Sequence, residues 1–172
     1  WEIQQVAEEL FGSARKGDWK DTVERAERLQ PFGLRTYACR LANGERVLAL
    51  VDTKESRGGY LIRLGAVENE IVLQSPHRFF DRHTGSIGRA LFERMKMRAF
   101  FFNTAHRYGR LGPDAQPRPS DDSPPQQLDL AHRQDTVFAA LSVAMLNVIP
   151  KAVIIQLHGF EKRGSPNVSD VE

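Results

Sequence analysis

Apolar residues open the chain at helical spacing. Ile3, Val6, Ala7, Leu10 and Phe11 recur every three to four positions and predict a helix that stops between Gly12 and Gly17. Asp18 is the expected N-cap of a second helix, whose narrower stripe of Val23, Ala26 and Leu29 ends at Pro31 and Gly33. The period then shortens towards two. Leu34 to Leu41, Arg46 to Thr53 and Tyr60 to Leu64 read as strands, with Asn43-Gly44 as a hairpin turn. Together they predict an antiparallel meander whose basic residues lie on a solvated face.

After residue 66 the pattern changes. Glu70 to Ser75 is a short strand-like run, and Thr84 to Met95 carries Ile87, Leu91 and Met95 at helical spacing. Met97 to Asn103 and Ala152 to Leu157 are nearly continuous apolar runs, as expected of strands covered on both faces. A helix starting at Asp135, with Val137, Phe138, Leu141, Ala144, Met145 and Val148 facing inward, stands between them and stops at Pro150. The alternation predicts an α/β fold, a layered α/β/α sandwich around a mainly parallel or mixed sheet, preceded by the two helices and the meander. Residues 1–66 are thus expected to form an N-terminal segment and 67–172 the α/β domain. Five of the nine prolines fall in Pro113 to Pro125, so 109–127 reads as a long Pro-rich loop.

The 172 residues suffice for one domain with a real core, and 41% hydrophobic with 27% charged residues is a soluble globular composition. With 24 Lys and Arg against 22 Asp and Glu, and no long run of one sign, bulk electrostatics does not suggest a nucleic-acid partner. No apolar stretch approaches the ~20 residues of a membrane span. The single cysteine, Cys39, excludes an internal disulfide framework and a cysteine-rich zinc site, and reads as a small buried hydrophobe. The chain opens at Trp1 without Met, so processing or trimming is expected, and no targeting segment is visible.

Five histidines carry the chemical interest, and three of them follow strand-like runs. Ile71 to Pro76 leads into His77, Phe100 to Ala105 into His106, and Val153 to Leu157 into His158. In open α/β sheets, ligands bind outside the carboxyl ends of the strands, so these histidines are expected at one edge. His77, Asp81 and His158 can supply the three protein ligands of a catalytic zinc, with Gly159 leaving room for a metal or substrate. The alternative is separate histidines that cap strands or bond to backbone carbonyls. His83, before Thr84-Gly85, reads as exposed, and His106 as a group near the substrate. There is no Gly-x-Ser-x-Gly elbow and no phosphate-binding glycine loop.

Pro76-His77, Asp81 with Thr84, and His158-Gly159, in this order over roughly residues 70–160, resemble motifs of the zinc carboxypeptidase superfamily. The likeness is to its small amidohydrolase branch, typified by poly-gamma-glutamate hydrolases of the phage type. In the peptidases the ligand carboxylate is a Glu three residues after the His, whereas here Asp81 stands four residues on. The general base of those enzymes lies on a later strand, and only Glu161, Asp170 and Glu172 follow His158. By the resemblance, the base is expected to be either missing or on a strand beyond residue 172.

It further implies zinc at His77, Asp81 and His158, hydrolysis of an amide bond, and an arginine holding a substrate carboxylate. Asn103, His106 and Arg107 resemble such a substrate-binding segment, with His132 and Arg133 as a second choice. The expected substrate is a small peptide or an acylated amino acid. An N-formylglutamate amidohydrolase-like deformylase and a non-enzymatic binding protein without metal remain the alternatives.

Overall fold

A computed structural model of the chain describes residues 2–53, 58–78, 81, 83–104, 130–131 and 133–159. Helices α1 (Glu2–Lys16) and α2 (Trp19–Glu27) open it. The stripe read from the sequence is the buried face of α1, where Ala7, Leu10 and Phe11 are almost wholly enclosed. Asp18 caps α2 as expected, its carboxylate accepting from the Asp21 N–H at 3.0 Å. A buried pair of hydroxyls, Ser13 and Thr22, ties the two helices at 3.1 Å.

Strands β1 (Leu34–Arg40), β2 (Arg46–Asp52) and β3 (Gly59–Arg63) form the antiparallel meander. The Asn43 side chain accepts from the Glu45 N–H in its hairpin turn. Then follow β4 (Asn69–Ser75), α3 (Thr84–Arg94), β5 (Met97–Phe102), α4 (Val137–Val148) and β6 (Val153–Gln156). Among the described residues the fold is α/β, with four helices and one open, mixed, six-stranded sheet in the order β1-β2-β3-β5-β4-β6. None of these helices is long and apolar enough to cross a membrane.

β3 pairs antiparallel with β5, so the sheet runs unbroken from the first 66 residues into the rest of the chain. β4 lies parallel to both β5 and β6. The chain leaves β4 through α3 to reach β5 on one side, then returns through α4 to place β6 on the other. Such a reversal of strand order opens a crevice at the carboxyl ends of the strands.

Side-chain alternation divides the strands between two cores. Leu48, Leu50, Ile62, Val72, Ala99 and Phe101 join α1 and α4 in the larger one. Val47, Leu73, Met97 and Phe100 meet Phe92 of α3 in the smaller. β5 contributes to both, which accounts for its continuous apolar run. At Gly88 a Cβ would lie 2.6 Å from the Phe100 ring and 3.0 Å from Ser75 Oγ, so glycine seats α3 directly on β4 and β5.

Three expectations need correction. β6 is not covered on both faces: Val153 is 55% and Ile155 39% exposed, because among the described residues β6 has only β4 beside it. Arg63 of the meander is not solvated but 1% exposed. Its guanidinium donates to the carbonyls of Phe92 at 2.7 Å and Met97 at 2.8 Å and pairs with Glu45 at 2.7 Å. Carbonyls in the last turn of a helix lack partners within the helix, and Arg63 supplies one at the end of α3. Cys39 is only partly buried, against the smaller core.

Candidate metal centre

At the end of β4 the backbone turns sharply. The Asp81 N–H donates to the His77 carbonyl at 2.8 Å, closing a single helix-like turn that brings side chains four residues apart onto one side. The Asp81 carbonyl accepts from Thr84 Oγ1 at 2.9 Å, and Ser75 Oγ donates to the Thr84 carbonyl at 3.0 Å. The turn is thus clamped between the last residue of β4 and the first of α3. From the neighbouring strand, the Leu157 N–H donates to the Gln74 carbonyl at 2.8 Å and carries the β4–β6 register one step further, bringing His158 level with this turn.

His158 Nδ1 lies 3.4 Å and His77 Nδ1 3.8 Å from the same oxygen, Asp81 Oδ2. The imidazole centroids are 5.3 Å apart with the rings inclined at 68°. One ligand atom from each residue falls within 4.8 Å of the other two. His77 and Asp81 are buried, whereas the His158 side chain is 43% exposed. Asp81 Oδ2 is buried and accepts no hydrogen bond.

A buried carboxylate oxygen left without a donor is unfavourable by several kcal/mol unless a cation meets it. Two imidazole nitrogens and a carboxylate oxygen converging on one point are a metal-ligand set, and the group can hold an ion. Comparison with protein-family models, curated proteins and solved structures finds no match. The site therefore rests on its own geometry.

Gly159 serves this geometry differently from the sequence expectation. A Cβ there would stand 3.1 Å from Asp81 Cβ and 3.2 Å from Asp81 Cα. The space that glycine leaves is filled by Asp81 rather than by a metal or substrate.

The other expected residues divide. Asn103, directly after β5, is fully buried at the same edge, its N–H donating to the Ser75 carbonyl at 3.1 Å. Arg133 grips Asp135 just before α4, with Nε 2.8 Å from Oδ1 and Nη2 on Oδ2. His83 stands at the N-cap of α3 with a positive φ of 66° and is exposed, as read from the sequence. His106, Arg107, His132 and the Pro-rich stretch 109–127 lie outside the described residues.

Two features escaped the sequence reading. Arg78, next to His77, stacks its guanidinium 5.3 Å over the Phe102 ring, and partial burial draws its pKa below the usual arginine value. The second is a chain of polar side chains behind His158. His158 Nε2 is 3.2 Å from Gln156 Oε1, and Gln156 Nε2 donates to Gln74 Oε1 at 2.8 Å. Gln74 Nε2 in turn donates to Ser142 Oγ at 2.8 Å. Its signal was present: each apolar run, Ile71 to Leu73 and Val153 to Ile155, is followed by a glutamine, and the register sets those two side by side.

Proposed function

We propose that this chain is a zinc-dependent hydrolase of amide bonds, akin to the zinc carboxypeptidases, acting on a peptide or acylated amino acid that bears a free carboxylate. The observation that carries this reading is the hydrogen-bond-free Asp81 Oδ2 facing the Nδ1 atoms of His77 and His158. Two imidazole nitrogens with one carboxylate favour zinc over magnesium or calcium, which prefer oxygen shells. Three protein ligands also leave a position open, the mark of a catalytic rather than a structural zinc site.

When bound, zinc supplies a Lewis acid for the scissile carbonyl and acidifies a water at neutral pH. The remaining work falls to the chain. The hydrogen bonds of Thr84 to Asp81 and Ser75 hold Asp81 beside the end of β4, and His158, the exposed member, lies on the side open to substrate. Arg107, the first choice by the resemblance, would anchor the substrate carboxylate, and the pairing of Arg133 with Asp135 favours it over Arg133.

Metal analysis of the purified protein, beside a His77→Ala, His158→Ala double variant, tests the reading. The expected result is one zinc per wild-type chain, little in the variant, and chelator-sensitive hydrolysis within a panel of γ-glutamyl peptides and N-acyl amino acids. Equal, negligible zinc in both proteins contradicts it.

A further inference from the structure

The direction of the polar chain behind His158 can be worked out from its far end. Ser142 Oγ on α4 donates its one proton to the Phe138 carbonyl at 2.7 Å. The same oxygen therefore accepts from Gln74, which fixes the Gln74 amide with Nε2 towards Ser142 and Oε1 towards β6. Gln74 is 1% exposed and cannot turn over without losing buried bonds. Gln74 Oε1 accepts from Gln156 Nε2, so Gln156 Oε1 is the atom presented to His158 Nε2.

A carbonyl oxygen only accepts, so the nitrogen facing it must carry the proton. In a neutral ring the lone pair is then on Nδ1, the atom 3.4 Å from Asp81 Oδ2. Without this constraint, Asp81 would draw the proton to Nδ1 and satisfy its own oxygen. We infer that Gln156, oriented by Gln74 and Ser142, is a positioning residue that holds His158 in its Nε2–H tautomer and keeps Nδ1 open to ligate a metal. The inference deepens the zinc reading and rests on it: an outer partner of a ligating histidine fixes its tautomer and raises its basicity.

The test uses the full chain and the variants Gln156→Leu and Gln156→Glu. Gln156 is exposed and belongs to neither hydrophobic core, so what each change removes is its donor to Gln74 Oε1 and, in Gln156→Leu, the acceptor at His158. The first measurement needs no metal: the ¹⁵N shifts of His158 in the zinc-free protein, at a pH where the ring is neutral. Wild type is expected as the Nε2–H tautomer, and Gln156→Leu is expected to shift towards Nδ1–H.

The second measurement is zinc affinity by competition with a chromophoric chelator. Gln156→Leu is expected to bind about 10- to 100-fold more weakly. Gln156→Glu keeps an acceptor facing His158 but loses the donor to Gln74 Oε1, so its affinity is expected to lie between those of Gln156→Leu and wild type. Equal tautomers and equal zinc affinity in wild type and Gln156→Leu overturn the inference alone. A wild type that binds no zinc overturns the metal reading and the inference with it.

Discussion

Asp81 Oδ2 lies 3.4 Å from His158 Nδ1, yet this buried oxygen accepts no hydrogen bond. A carboxylate oxygen and an imidazole nitrogen brought this close, across two chain segments 77 residues apart in sequence (158 − 81), call for a cation or a shared proton.

Asp81→Asn separates the ligand role from the structural one. Asparagine keeps the shape, removes the charge, and offers an amide proton to the nitrogen lone pair of His158. In chelator, the variant is expected to melt at the wild-type temperature or above it. With zinc at 100 times the wild-type Kd, wild type gains about 2.7 kcal/mol of stability and the variant gains almost none. Equal gains in both remove Asp81 from the ligand set.

Gly159→Ala tests the close approach of β6's trailing residues to the His77–Asp81 turn. The added methyl meets Asp81 Cβ and Cα at 3.1–3.2 Å, and the two segments must part by a few tenths of an ångström. Zinc affinity is expected to fall about tenfold, as for other losses of support around a metal ligand, with little change in far-UV circular dichroism. Unchanged affinity shows that the turn and β6 hold their spacing by other means.

The clustering of His77, Asp81 and His158 was legible because the two histidines each follow a strand-like run, and a run of that kind in an α/β pattern ends at the sheet's carboxyl edge. Asp81 stands four residues after His77, and the Asp81-to-His77 backbone bond turns that spacing into proximity. The α1 stripe, the Asp18 cap and the Asn43-Gly44 hairpin were legible for a simpler reason: their causes are local.

What was not legible depends on distant partners. The burial of Arg63 answers carbonyls of Phe92 and Met97, 29 and 34 residues away. The exposure of Val153 and Ile155 follows from β6 having a single neighbour among the described residues, which an apolar run does not reveal. Gln74 and Gln156 meet only because the β4–β6 register aligns residues 82 apart.

Glu45 supplies a pH dependence. The hydrogen bond from the Arg63 guanidinium holds its carboxyl below the ordinary value of 4.5. A carboxyl depressed in the folded state stabilises the fold above its unfolded pKa, and that contribution is lost as the pH falls through the folded value. The stability difference between wild type and Glu45→Gln is therefore expected to be constant above about pH 4.5 and to shrink below it. Urea titrations across this range check the point; a difference that does not change with pH removes the Glu45–Arg63 pair as its source.

Leu10→Ala tests whether the first helix belongs to the same folding unit as the metal centre. Leu10 is wholly buried in the core that α1 shares with β4, β5 and α4. The truncation is expected to lower stability by about 2–5 kcal/mol in one transition, coincident by Trp fluorescence and far-UV circular dichroism. A separate early transition would make residues 1–66 an independent unit.

The central claim is that His77, Asp81 and His158 share one zinc ion. Anomalous diffraction at the zinc edge, from crystals grown with one equivalent of zinc, tests it most directly. The account predicts a single strong peak about 2.0–2.2 Å from the Nδ1 atoms of His77 and His158 and from an Asp81 carboxylate oxygen. A peak elsewhere, or none with His158 Nδ1 still facing Asp81, contradicts it.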